Sequence, residues 1–312
     1  MKVLFVISGN LTGSDVIVNN QAESIIKQNK AVNIEFYKIK GKGVLGYLKN
    51  VYPLRQKIKE LSPDLIHAHY SLCAYVSVLT FSKRPLVVSL MGSDVHLSRL
   101  WAFIMKVFSF FWKRVIVKSE DMKRKCVVKV DQVIPNGVDL SKYPVLSKED
   151  AKQVLALDVN KKYILFLADP ARPEKNYSLA EAAFRKLNDK NCELLAVHNI
   201  EHNKTKYYYY AAEVVLMTSL YEGSPNVIKE AMACNCKIVC TDVGDVAELL
   251  KDLKGCYLTQ FNDETVAQDL REALDFKGET DGRLRLMKLG LDSDSVSEKM
   301  VNVYKGVLNS KQ

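Results

Sequence analysis

Short, solidly apolar runs alternate along the chain with longer stretches in which apolar residues recur at helical spacing. The runs fall at 3–7, 34–39, 64–69, 86–90, 115–118 and 133–134, and again at 163–168, 194–198, 214–218, 238–241 and 257–258. A strand covered on one face alternates apolar with polar residues. These mostly do not alternate, so they are expected to be parallel strands buried on both faces. Helical periodicity fills the intervals, for example 16–28 and 45–61, and Pro63 marks a return to strand. Strand–helix–strand repetition of this kind predicts an α/β fold with parallel sheets. A polar stretch, 138–160, follows Pro135-Asn136-Gly137 and holds a short helix around 148–157. The pattern then begins again, so two Rossmann-like domains are expected.

The chain ends in a helix whose apolar face runs through Met300, Val301, Tyr304 and Val307. Ser295-Val-Ser-Glu298 has the form of a capping box opening it. Asp292-Ser-Asp294, just before, suits a helix start and its dipole better than a metal. A length of 312 residues agrees with two domains, and 48% hydrophobic with 26% charged residues excludes a disordered or fibrous chain. No uncharged apolar run reaches the ~18 residues a membrane span needs. The apolar run in MKVLFVISGN stops at Ser8, too short for a signal peptide, and is expected to be the first strand. Seven cysteines without a secretion signal are expected to be reduced cytoplasmic thiols. Cys234, Cys236 and Cys240 lack a CxxC pair and a nearby histidine, which favours buried packing over a metal site.

The net charge of +9 is uneven: residues 1–150 carry +11 and residues 151–312 carry −2. A basic half faces something anionic or simply carries solvated lysines. Nucleic acid is not expected, because no nucleic-acid-reading motif is present. Within the basic half, 100–112 reads LWAFIMKVFSFFW, bordered by Arg99, Lys113 and Arg114. It is too short to span a bilayer. Two readings stay open: a core helix ahead of the strand VIVK, or an interfacial helix on an anionic membrane surface.

The segment with most chemistry is Tyr221-Glu222-Gly223-Ser224-Pro225-Asn226-Val227, continuing to Glu230, after the strand VVLMTS. Ser224 and Pro225 are expected to be a capping hydroxyl and a first helical residue. The N–H groups at such a helix start form a site for phosphate. Glu222 and Glu230 lie at most about 12 Å apart along the helix axis, comparable to the reach from a sugar ring across a diphosphate to a ribose. A second loop, after the strand YILFLA, holds Arg172, Lys175 and Asn176 at a strand's carboxyl end, where ligands bind in open α/β sheets. Two cations there can neutralise a leaving diphosphate without a metal.

EGSPNVIKEAMA, the Arg172…Lys175-Asn176 loop and IPNGVD at 134–139 resemble the family-4 glycosyltransferases of the GT-B fold (glycosyl transferases group 1). The resemblance runs in order over nearly the whole chain, including Asp64-Leu-Ile-His67-Ala-His69 and Gly92-Ser93-Asp94. It implies two Rossmann-like domains facing across a cleft. Residues 1–140, with a C-terminal helix of about 295–312 crossing back to them, would be the acceptor-binding domain. Residues 141–294 would bind a nucleotide sugar. It implies a retaining, metal-independent enzyme that needs no cofactor and moves a hexose-type sugar to a glycan or lipid-linked acceptor in surface polysaccharide biosynthesis. Such an enzyme would be cytoplasmic, or peripheral on the membrane's inner face.

By the same resemblance, Arg172 and Lys175 would hold the donor phosphates together with the N–H groups of Gly223 to Val227. Glu222 would grip sugar hydroxyls and Glu230 the ribose. The loop around Gly13 would close over donor phosphates or acceptor; its glycine spacing is not that of a dinucleotide site. Met91 stands where many relatives carry histidine before Gly-Ser-Asp, so that histidine's role does not transfer. His69, His96 and Asp94 remain candidates for acceptor contacts, with His67 expected on the opposite side of the sheet. His198 and His202 flank a shortened connection whose Tyr207–Tyr210 run either stacks on a base or packs in the core. Two other readings keep the fold: a nucleotide-sugar epimerase, which would need paired acid and base groups, and a non-catalytic nucleotide-sugar-binding partner protein.

Overall fold

The computed structural model describes residues 1–10 and 14–310. In chain order its elements are β1 (Lys2–Ser8), α1 (Ser14–Gln28), β2 (Asn33–Ile39), α2 (Gly43–Leu48), α3 (Val51–Leu61), β3 (Leu65–His69), α4 (Ser71–Leu79), β4 (Leu86–Ser89), α5 (Arg99–Ser109), β5 (Arg114–Val117), α6 (Glu120–Lys125) and β6 (Gln132–Val133). They continue with α7 (Lys148–Val154), β7 (Lys162–Phe166), α8 (Tyr177–Leu187), β8 (Cys192–Ala196), α9 (Thr205–Ala211), β9 (Val214–Met217), α10 (Asn226–Ala233), β10 (Lys237–Thr241), α11 (Val246–Leu250), β11 (Cys256–Thr259), α12 (Asp263–Asp275), α13 (Gly282–Lys288) and α14 (Ser293–Asn309). The chain divides into two compact units, Met1–Gly137 with Ser293–Gln312, and Val138–Asp292.

The first unit holds a six-stranded parallel sheet in the order β2-β1-β3-β4-β5-β6. Its strands are apolar on both sides because helices cover both faces. One face packs on α1 and α14 through Val3, Phe5, Ile25, Met300 and Tyr304. The other packs on α2 to α6 through Leu4, Val6, Leu54, Ala74 and Met105. The last helix therefore belongs to the first unit although the whole second unit precedes it. The second unit's sheet has the order β11-β10-β9-β7-β8, also parallel, with a core on each face. Cys234, Cys236 and Cys240 are buried there as free thiols.

Side-chain caps set several helix starts. Ser119 Oγ accepts the Met122 N–H, Ser147 Oγ that of Asp150, and Asn262 Oδ1 those of Glu264 and Thr265. Two expectations are corrected. The stretch 45–61 is two helices, because the buried Asn50 donates to the Lys40 and Gly46 carbonyls and accepts the Lys40 N–H, taking the chain out of register between α2 and α3. The final helix starts at Ser293, so Ser295 lies inside its first turn rather than at the cap.

Candidate active site

In the second unit the loops after β7, β9 and β10 meet at the carboxyl edge of three adjacent strands. The meeting is stitched by hydrogen bonds. The Leu220 N–H donates to the Glu174 carbonyl at 2.9 Å. Thr218 Oγ1 donates to the carbonyls of Lys175 and Asn176 at 3.2 and 2.9 Å, and Thr241 Oγ1 to that of Ser219 at 2.7 Å. Asn176 turns the first loop through φ +52°, a left-handed conformation asparagine tolerates, before α8 begins.

This framework brings Lys175 and Glu222 together. Lys175 Nζ donates to Glu222 Oε1 at 2.5 Å, and Ser219 Oγ donates to the same oxygen at 2.9 Å. Both charged side chains are 17% exposed, shielded yet reachable from solvent. Arg172 does not join the pair. Its Nε and Nη2 both donate to Glu174 Oε1, at 2.8 and 2.5 Å, on the exposed rim of the loop. Partial burial works to raise the Glu174 carboxyl, but its own N–H, Arg172 and then Lys175 hold it below the usual range. The two cations thus share one carboxylate while only Lys175 meets Glu222.

The turn Gly223-Ser224-Pro225 is buried and leads into α10. Pro225 is the cap residue (φ −70°, ψ 119°), so the helix opens one place later than expected, and no side chain caps it. Ser224 instead lies beside Asp245. Asn226 and Val227 open the first turn, whose N–H groups find no acceptor within their own helix. The turn is pressed from behind by Gly244, at φ +67°, in the loop after β10. A Cβ there would lie 2.8 Å from the Gly223 carbonyl oxygen.

Glu230 sits one turn further along α10. Tyr209 Oη donates to its Oε2 at 2.9 Å, His202 Nε2 lies 3.9 Å from its Oε1, and Tyr143 is a further hydrogen-bonding neighbour. Burial pushes its carboxyl up, opposed by His202, Tyr209, Tyr143 and Lys229. Tyr209 is fully buried and packs edge-on to Tyr143, so this member of the tyrosine run serves the core and Glu230 rather than a stacked base. Burial likewise lowers the Lys229 ammonium to about 8 despite Asp245 and Glu230 nearby. His198 faces Asp169 at 3.9 Å on the rim. Among the described residues no three His, Cys, Asp or Glu gather as a metal site.

In the first unit, His67 and His69 share a face of the sheet, with ring centroids 4.1 Å apart. This corrects the expectation of opposite sides, since residues two apart on a strand point the same way. His67 is bonded to Tyr304 Oη at 2.7 Å and Ser89 Oγ at 2.8 Å. His69 is buried against Phe5, and neither of its ring nitrogens has a hydrogen-bond partner among the described residues. Burial, then the charge of Lys118 on His67 and of His67 and Lys118 on His69, lowers both imidazoles well below their usual range.

Asp94 is also buried. It accepts the N–H groups of Ser71 and Met91 at 3.2 and 2.7 Å. It thereby pins the β3–α4 turn, where Tyr70 is held at φ +87°. A buried group with both carboxylate oxygens on backbone is placed to position this turn rather than to meet solvent. His96 lies at the surface just beyond, and Gly13 falls outside the described residues.

Burial raises the Asp94 carboxyl from 3.8 to about 6. The folded protein therefore holds the extra proton between those values, and stability falls as pH rises through that window. Asp94→Asn removes this component. Its unfolding free energy relative to wild type is expected to improve by roughly 1–3 kcal/mol from pH ~4 to pH ~6.5, superimposed on a constant loss of one acceptor. Denaturant titrations of both proteins across that range measure it. A pH-independent difference would rule the assignment out.

Comparison with known proteins bears on the fold. The chain superposes on sucrose-phosphate synthase from Thermosynechococcus elongatus with a TM-score of 0.83 over 99% of this chain and 100% of that one, at 16% identity. It superposes on Anabaena HepE in complex with UDP and glucose with a TM-score of 0.73, covering 98% and 100%, at 18% identity. Two Rossmann-like units of this kind define the GT-B fold.

The model for Glycosyltransferase Family 4 matches residues 16–142 and that for Glycosyl transferases group 1 matches residues 173–275. The chain belongs to the group 1 glycosyltransferases of family-4-like type. It is 26% identical over 245 residues to a putative teichuronic acid biosynthesis glycosyltransferase, TuaC, of Bacillus subtilis, covering 67% of this chain and 63% of that protein. It is 27% identical over 161 residues to an N-acetylgalactosaminyltransferase of Campylobacter jejuni that acts on a diphospho-undecaprenol-linked sugar, covering 46% and 44%. The matches thus span less than two thirds of either relative's length.

Proposed function

We propose that this protein transfers a sugar, with retention, from a nucleotide-diphosphate sugar to a glycan or lipid-linked acceptor on the cytoplasmic side of a membrane, in surface polysaccharide biosynthesis. The observation that carries the reading is the Lys175–Glu222 pair at the strand edge, beside the opening turn of α10. A diphosphate meeting that turn would take the first N–H groups of α10 and the Lys175 ammonium, with Arg172 leaving Glu174 to add a second cation. Glu222, relieved of part of its ion pair, would accept sugar hydroxyls. Glu230, oriented by Tyr209, would take the ribose. Departure of the nucleotide diphosphate through an oxocarbenium-like state leaves the same face open to the acceptor. The departing phosphate oxygen is the nearest base for the acceptor's proton. The UDP and glucose held by the HepE neighbour and the lipid-linked acceptor of the Campylobacter relative support the substrate classes.

A panel of UDP- and GDP-sugars tests this. One of them should raise the melting temperature, since a ligand at a hundred times its Kd adds about 2.7 kcal/mol to the folded state. The same donor should release nucleotide diphosphate when acceptor is added, and should continue to do so in excess chelator, because Lys175 and Arg172 serve in a metal's place. A panel with no stabilising member, or release that is lost to chelator and restored by Mg²⁺, contradicts the reading.

A further inference from the structure

The first unit turns a large apolar surface to solvent, on the side covered by α2 to α6. Helix α5 buries Met105, with Trp101, Ile104 and Phe108 packed partly against the core. Its opposite face carries Leu100, Phe103 and Val107, and the turn after it adds Phe110 and Phe111. These are 66%, 65%, 42%, 86% and 66% exposed. Spacings of three, four, three and one place them on a single stripe. This overturns the core reading of 100–112 for half of its residues. Phe81, 79% exposed just beyond α4, walls an apolar groove of about 380 Å³ together with Val107, Phe108 and Phe111. On the same layer α2 and α3 expose Leu45 and Tyr52, at 76% and 69%.

Charge says what covers this face. From Leu65 to Ser119 the chain carries seven Lys and Arg but one acidic residue, Asp94, and that one is buried. Arg99 and Lys106 flank the stripe on α5, Lys113 follows it, and Lys83 and Arg84 stand beside Phe81, all exposed. Lys42 and Lys49 flank Leu45 in the same way. An aromatic stripe with cations at its borders and no acid among them matches an acidic lipid interface, where rings enter the headgroup layer and ammonium groups meet phosphates. We infer that this face, centred on Leu100, Phe103, Phe110 and Phe111, docks the protein peripherally on an anionic phospholipid membrane. The inference does not depend on the donor reading. None of these residues belongs to the second unit's site, so each can fail alone.

Sedimentation with vesicles tests it. The full chain should co-sediment with phosphatidylcholine vesicles containing about one-third phosphatidylglycerol, stay in solution with phosphatidylcholine alone, and be released by high salt. Phe103→Ser with Phe110→Ser, both exposed and tolerable to the fold, should cut partitioning at least about tenfold. Lys106→Glu with Lys113→Glu should do the same, each basic residue near such a surface being worth about fivefold. Both pairs should keep the wild-type melting temperature and donor-induced thermal shift. Wild-type protein that remains in solution with acidic vesicles overturns the inference. So does a dimer in light scattering that the Phe103/Phe110 pair converts to monomer while vesicle binding is unchanged, for then a second copy covers the face.

Discussion

Glu222→Gln should reduce kcat by about a hundredfold to a thousandfold while the protein remains folded. Glutamine keeps the size and the Ser219 hydrogen bond but loses the charge that Lys175 uses and that sugar hydroxyls would use in the proposed reaction. Stability changes little because both partners of the pair are partly solvated. Ground-state binding should move differently. With its carboxylate partner gone, Lys175 meets an incoming diphosphate as an unpaired cation, so the nucleoside diphosphate product should bind as well as or better than it does to wild type. A kcat loss paired with retained product affinity is the signature of a group that acts on the sugar as charge develops. Turnover near the wild-type value would remove Glu222 from the chemistry.

The second large effect comes from a residue that carries no functional group. Gly244→Ala places a Cβ 2.8 Å from the Gly223 oxygen and 3.1 Å from the Glu222 oxygen, against backbone that cannot swing aside as a side chain would. The left-handed φ of +67° adds a strain of about 1–2 kcal/mol. The Gly223–Pro225 turn must shift, and if it holds the donor as proposed, a displacement of about 1 Å costs on the order of a hundredfold in kcat/KM. Gly43→Ala is the control. Gly43 has nearly the same φ, +68°, but nothing lies within 4 Å of where its new methyl would stand, so it should lose stability by the strain alone and keep full activity. Equal kinetic losses in the two variants, or none in Gly244→Ala, would show that the contact behind Gly223 does not hold the turn.

Parallel strands and their order of appearance were legible because burial on both faces leaves an unbroken apolar run, as in LFVI and VVLM, that few other elements produce. The EGSPNVIKEAMA segment was legible as a helix start after a strand, because that is a local arrangement. Its cap was not: Pro225 took the place expected of Ser224 because the buried turn packs against the Gly244 loop, a contact made by residues some twenty positions later. Asp94 looked like an acceptor-binding acid because spacing gives no depth; burial and two backbone N–H groups make it a pin for the β3–α4 turn. The partners of Glu222 were half visible. Lys175 stands out in its loop as a cation at a strand's carboxyl end, but Ser219, Thr218 and Thr241, which hold that loop against its neighbour, are small polar residues of a kind found in any strand end.

The amino-acid sequence alone determined the class of the protein: two series of buried parallel strands, a basic first half, a glutamate-bearing helix start and a cationic loop. Each of these follows from local spacing and composition, which the chain carries whether folded or not. Only the tertiary structure decided which charges meet. It paired Lys175 with Glu222 and left Arg172 on Glu174, since loops from three strands converge only once the sheet has formed. It also decided that α5 turns its aromatic stripe outward, because a helix apolar nearly all round chooses its buried side only when it meets the rest of the core.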